Sequence, residues 1–92
     1  MTSRVRWERQ RAARALGRHT REEWERLKMF CGGCVRCKST DRHLDRAHIV
    51  PIRHGGSDAI ENLQPLCAWC NAHREGEYID YRPEGWRRVA NA

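Results

Sequence analysis

Four of the five cysteines fall into two C-x-x-C pairs, Cys34-Val35-Arg36-Cys37 and Cys67-Ala68-Trp69-Cys70, with 29 residues between them. Each pair closes a tight turn that offers two thiolates to one ion, and four thiolates complete a closed tetrahedral zinc site. Two disulfides are the competing use of the same residues. The odd cysteine count and the reducing interior expected for this chain lean against them. Cys31 forms a further C-x-x-C with Cys34, so spacing alone leaves the register open. Two clean pairs favour Cys34 with Cys37 and leave Cys31 as a spare thiol.

The need for a staple follows from composition. Only 14 of 92 residues are Leu, Ile, Val or Phe, while 33% are charged. A chain this small and polar cannot rely on an ordinary apolar core, and a structural metal supplies the missing folding free energy. No apolar run reaches the length of a membrane span, and the Arg-rich start has no apolar stretch of the secretory kind, so the expectation is a cytoplasmic protein without a membrane partner.

The formal net charge is +6, and 16 of the 18 basic residues are arginines. Arginine matches phosphate with a planar fork that lysine lacks. The excess is concentrated near the start, where Arg4, Arg6, Arg9, Arg11, Arg14 and Arg18 face Glu8 alone. Such a stretch is either a solvated tail or an arm that attracts nucleic-acid phosphates and releases counterions.

The elements that must position these groups are short. Residues 4–16 predict a helix ending at Gly17. Thr20 and Glu23 have capping-box spacing, and a helix over 21–29 turns Trp24 and Leu27 inward. Residues 44–50 predict a strand stopped by Pro51, and 53–58, with Gly55-Gly56, a loop. An irregular turn and a short strand are expected over 59–66, giving a hairpin across 44–66. A knuckle then leads into a helix starting near Asn71. The tail from Gly76, with Pro83 and Gly85, is expected to be extended and anchored by Tyr78, Tyr81 and Trp86. The expected organisation is a basic helical arm (1–30), a metal-clamped domain (31–76) and a tail (77–92).

Between and around the cysteine pairs, several further residues fall into one pattern: His48-Ile49-Val50-Pro51, Gly55-Gly56-Ser57, Glu61-Asn62-Leu63, Leu66-Cys67 and Cys70-Asn71. With Cys34 and Cys37 this stretch, residues 34–74, resembles the HNH endonuclease family of the ββα-metal, or His-Me finger, class. The resemblance implies an α+β fold with a small ββα-metal core, a structural zinc site and, here, an N-terminal helical extension. It implies a metal-dependent DNA endonuclease in which His48 is the general base, since a neutral imidazole can take a proton from water near pH 7. Asn62 matches the central asparagine, which in the family bridges loop backbone and holds the base in orientation. Asn71 matches the third motif position, a ligand to a catalytic divalent ion such as Mg²⁺ or Mn²⁺. The competing use of Asn71 is a helix N-cap. Arg74 matches a basic position at the end of the motif and is a candidate phosphate contact. Arg53 is either a second phosphate contact or a solvated loop charge.

One position departs from the pattern. The family places Asp or His just before the base, as a second ligand for the catalytic ion, and here that position is Ala47. Three readings stay open. The chain is an inactivated form, or another ligand such as Asp45, Asp41 or Glu75 substitutes, or the position is relaxed in this branch. The expected function is nicking or double-strand cleavage of DNA with low sequence specificity, because phosphate contacts position a protein without specifying sequence. The alternative is a non-catalytic zinc-stabilised DNA-binding module. The resemblance to small stand-alone nucleases suggests a phage or mobile-element setting, with phage packaging proteins as partners. No role is assigned to His73, and His19 and His43 are expected at the surface.

Overall fold

A computed structural model describes residues 11–12, 16–74 and 76–90. Most of the helix expected over 4–16, together with Arg4, Arg6 and Arg9, lies outside the described residues.

The first helix described, α1 (Arg21–Cys31), starts where the sequence marks it. The Thr20 hydroxyl accepts from the Glu23 amide at 3.0 Å, and the Glu23 carboxylate accepts from the Thr20 amide at 2.7 Å. This reciprocal pair satisfies two of the donors left over at a helix start. The helix runs two residues beyond the expected 29 and stops where Gly32 turns left-handed (φ 73°) and its amide returns to Lys28. One face buries Trp24 and Leu27.

Strands β1 (Leu44–His48) and β2 (Leu63–Cys67) pair antiparallel, with Leu44 opposite Cys67 and His48 opposite Leu63. The strand expected to reach residue 50 ends at His48 for a local reason. The Val50 amide is taken by the Asn62 side chain instead of a strand partner. Two single turns of 3-10 helix, Ile52–His54 and Ile60–Asn62, shape the connection between the strands. Helix α2 (Ala68–Ala72) follows β2 directly and completes a ββα unit. It begins three residues before Asn71, because the Cys67 sulfur caps it by accepting from the Cys70 amide at 3.5 Å. Asn71 is therefore not the N-cap.

The tail departs from the extended reading. Residues Trp86–Ala90 form a third helix, α3, which buries Trp86 and Ala90 against Trp24, Leu27, Ile60 and Leu63. Spacing of i and i+4 puts both on one face. Two buried polar groups tie the tail to the hairpin. The Gln64 side chain donates to the Ile79 carbonyl and accepts from the Tyr81 amide. The Arg82 guanidinium, 3% exposed, donates to the carbonyls of Ile60, Glu61 and Leu63, grips both oxygens of Asp80 and lies 3.5 Å over the Trp86 ring. Burial alone would raise the Asp80 carboxyl, yet its bonds to Arg82 hold it below the ordinary range.

A second buried cluster comprises Cys34, Val35, Ala47, Leu66, Cys67 and Cys70. Cys31 packs against both clusters. Among the described residues no helix is long and apolar enough to cross a membrane.

Candidate functional site

The two C-x-x-C turns meet across the hairpin. The sulfurs of Cys34, Cys37, Cys67 and Cys70 all lie within 4.8 Å of one another, and none is in a disulfide. Cys37 and Cys67 are 3.9 Å apart at sulfur. Four sulfurs about 2.3 Å from one zinc stand about 3.8 Å from each other in a tetrahedron, so the pocket has the dimensions of a ZnS4 centre. The register is settled: Cys34 pairs with Cys37, and Cys31 stands outside with its thiol pushed up to about 11 by burial.

Backbone geometry makes this site. Gly33 (φ 151°) approaches the Ser39 carbonyl so closely that a Cβ would sit 2.4 Å from its oxygen. The Cys34 amide donates to that same carbonyl, and the Lys38 amide donates back to Cys34. Burial works against ionising Cys34, but amides aimed at its sulfur, from Cys37 first, outweigh it and bring the thiol down to about 6. The Cys70 amide lowers Cys67 in the same way. Cys70 itself is pushed up to about 12 by burial. Arg36, beside the Cys70 sulfur, is placed to offset the negative charge of a four-thiolate centre. Its guanidinium is in turn held by Glu77, which accepts from the Tyr81 hydroxyl at 2.6 Å.

Beyond the cysteines, the connection between the strands folds around Asn62. The Asn62 carboxamide accepts from the Val50 amide at 2.9 Å and donates to the carbonyls of Val50 (2.9 Å) and Ser57 (2.8 Å). One side chain thus ties the two arms of a loop more than ten residues long. Gly56 is required by this closure, since a Cβ there would lie 1.8 Å from the Val50 oxygen and 2.9 Å from Asn62 Nδ2.

His48, at the mouth of this loop, is part-buried with its Nε2 3.0 Å from Asp58 Oδ1. Asp58 is held from behind by His19, whose Nδ1 is 2.8 Å from the Asp58 carbonyl oxygen, and by a backbone bridge from Arg18. His19 is therefore part-buried (side chain 10% exposed) rather than a surface residue as expected. His43 is at the surface. Sequence reasoning missed Asp58, whose only signal is its place just after Gly55-Gly56-Ser57.

Asn71 lies on α2, and Arg74, two residues past its end, reaches the backbone at the end of β1. Arg74 donates from Nε to Asn71 Oδ1 at 3.1 Å and from a terminal nitrogen to the His48 carbonyl. Burial lowers the Arg74 pKa, and the neighbouring Arg53 charge adds to that. Both guanidiniums line a cavity of about 250 Å³, together with Asn71, Pro51, Tyr78 and Glu77, whose carboxylate is already paired with Arg36. Two adjacent cations in an open cavity form an anion-receptive surface.

Asn71 also meets Asp45, Nδ2 to Oδ2 at 3.4 Å. Ala47 lies on the same strand face as Asp45 but packs in the cysteine cluster, 2% exposed. For a hard divalent ion this gives one carboxylate and one amide oxygen on facing elements. Magnesium is commonly held by one or two carboxylates, with water and phosphate oxygens completing the shell. The pair fits that minimal form only with the Asn71 amide turned over, since its nitrogen faces Asp45 and its oxygen accepts from Arg74. Of the other substitutes considered, Asp41 bonds Ser39 beside the zinc turn, and Glu75 lies outside the described residues. His73 stacks on Trp69, with ring centroids 4.0 Å apart. Arg11 is exposed.

Residues 34–77 match the family model for HNH endonuclease. That segment runs from the first zinc cysteine past Arg74, so it contains the hairpin, the Asn62-closed loop and α2. The HNH match points to a nuclease or DNA-binding role and to nucleic acid as the partner. No curated protein and no solved structure matches the chain.

Proposed function

We propose that this chain is an HNH-type, metal-dependent endonuclease that hydrolyses DNA phosphodiesters with little sequence preference. The observation that carries the reading is the attachment of Arg74 to the backbone of His48, which sets that part-buried histidine next to the strand end where Arg53 and Arg74 line a cavity. The imidazole takes a proton from water, and the oxygen so freed attacks phosphorus in line with the 3′-oxygen. The P–O3′ bond breaks and leaves a 5′-phosphate. Arg53 and Arg74 bind the phosphate oxygens and fix the scissile group against His48. Asn62 keeps the loop that carries the far side of this face closed. Asn71 and Asp45 would hold the catalytic divalent ion. When bound, Mg²⁺, Mn²⁺ or a similar ion supplies positive charge that stabilises the leaving oxygen. A zinc held by the four cysteines would tie the turn after α1 to the end of β2 and to α2. Arg4, Arg6, Arg9 and Arg11 extend the phosphate contacts along the duplex. A cytoplasmic, phage or mobile-element setting, with packaging proteins as partners, suits a small stand-alone nuclease.

A second reading rests on the burial of Ala47 in the cysteine cluster, which leaves the usual ligand position empty of oxygen. It makes the chain a zinc-stabilised DNA-binding module without cleavage. Incubation of supercoiled plasmid with the zinc-loaded protein and Mg²⁺, Mn²⁺ or Ni²⁺ separates the two. Nicking that His48→Ala abolishes supports the enzyme. Salt-sensitive DNA binding with no nicking under any ion overturns it in favour of the module.

A further inference from the structure

We infer that Asp58 is the positioning residue for His48: its carboxylate takes the Nε2 proton, fixes the ring tautomer and leaves Nδ1 as the basic nitrogen. The inference rests on the nuclease reading for its catalytic consequence, but its structural content stands on its own observations.

The first is the contact itself. His48 Nε2 and Asp58 Oδ1 are 3.0 Å apart, with both side chains 23% exposed. An ionised carboxylate only accepts hydrogen bonds, so the imidazole must place its proton on Nε2 to make this one. In the neutral ring Nδ1 then keeps its lone pair, and among the described residues it makes no hydrogen bond. The neutral ring is turned to accept a proton at that atom.

A second observation concerns the carboxylate. Asp58 sits at the far end of the loop from His48, ten residues on, and reaches back only because Asn62 and Gly56 close that loop. Its backbone is fixed by His19 Nδ1 on its carbonyl and by the Arg18 bridge. The His19 ring also stands 3.7 Å from the other carboxylate oxygen, Oδ2. The acceptor is thus itself held in place. When His48 takes a proton from water it becomes an imidazolium, and the neighbouring negative charge stabilises that state. The proton travels from the water to Nδ1, and the Nε2–H···Oδ1 hydrogen bond is kept.

The test reads the tautomer directly. Nitrogen-15 NMR of the zinc-loaded chain, with His48 assigned by its loss in His48→Ala, should show an Nε2–H imidazole with an unprotonated Nδ1 at neutral pH. In Asp58→Ala that resonance should move to an averaged or Nδ1–H pattern, while zinc content stays at one per chain. Asp58→Asn, which keeps the side-chain shape, serves if the alanine variant fails to fold. An Nδ1–H or freely averaging ring in the unsubstituted protein overturns the inference, as does a tautomer that neither substitution changes. For plasmid nicking, the expectation is a kcat lower by about 10²-fold in Asp58→Ala, a typical share for general-base catalysis, with KM within about twofold. An equal loss in KM would make Asp58 a binding residue and overturn the positioning role. If the unsubstituted chain nicks nothing, the enzyme reading fails, and the NMR result still decides whether Asp58 holds His48.

Discussion

The two halves of the HNH segment are held together by different physics. At the cysteine end, four sulfurs lie within 4.8 Å of one another, three of the four cysteines being buried with Val35, Ala47 and Leu66. At the loop end, no metal cluster of His, Cys, Asp or Glu occurs among the described residues, and a web of side-chain to backbone hydrogen bonds from Asn62 does the holding. An ion bound by the four sulfurs would concentrate its stabilisation at a point, whereas the loop spreads smaller contributions over Val50, Ser57 and Gly56. The contrast explains why the site can be both rigid and open. Stability concentrated at the cysteine end would let the part-buried His48 stay ordered without full burial.

Breaking the cysteine end should have the largest effect. Chelation of zinc, or Cys70→Ser, should unfold the chain outright, because structural zinc in small domains contributes on the order of 10 kcal/mol of folding free energy. Circular dichroism with parallel metal analysis would follow it. The same centre sets a pH dependence. Cys34, held down to about 6, is already a thiolate at neutral pH, whereas Cys70, pushed up to about 12, still carries its proton. Loading zinc must expel that proton, so apparent affinity should rise with pH. It should weaken as pH falls, and fall further below about 6, where Cys34 also takes up a proton. A competition titration with a colorimetric chelator across pH 5.5–8 reads this trend.

Next in size is the tail clamp. Arg82→Ala removes a buried cation from three carbonyls, the Asp80 carboxylate and the Trp86 ring. Asp80 is half exposed and can be rehydrated, so the cost comes from the three bare carbonyls, about 3 kcal/mol at about 1 kcal/mol for each acceptor left unpaired. Urea unfolding of the zinc-loaded protein measures it. Asn62→Ala sharpens the comparison from the other side. It leaves the Val50 amide and two carbonyls unpaired, for an expected loss of about 2–3 kcal/mol. Zinc content should not change, and hydrogen exchange should accelerate over residues 49–61 alone. At the small end, Thr20→Ala removes one cap of α1 and should cost about 1 kcal/mol in thermal unfolding without altering zinc or DNA affinity.

Much of this arrangement was legible before any coordinates, and the reason is geometric. A C-x-x-C turn has few ways to present two sulfurs, so spacing implied proximity. The capping box of Thr20 and Glu23 is equally local. What stayed hidden depends on closure over distance. Asp58 reaches His48 only after the loop folds on Asn62, and nothing in Ser57-Asp58-Ala59 announces that contact. His19 was taken for a surface residue because its partner lies 39 positions away. The tail read as extended because Pro83 and Gly85 dominate its composition, but Trp86 and Ala90 share a helix face that a neighbouring core was waiting to cover. Ala47 shows the reverse. Its parity with Asp45 on β1 already implied a common face, although only the packing reveals that this position faces the cysteines.

X-ray absorption at the zinc edge, combined with metal analysis of the purified chain, bears on the founding claim most directly. One zinc per chain and a shell of four sulfurs at about 2.3 Å is the expected result. A shell mixing sulfur with imidazole nitrogen, or a zinc-free chain whose cysteines resist alkylation because they are oxidised in pairs, would contradict it.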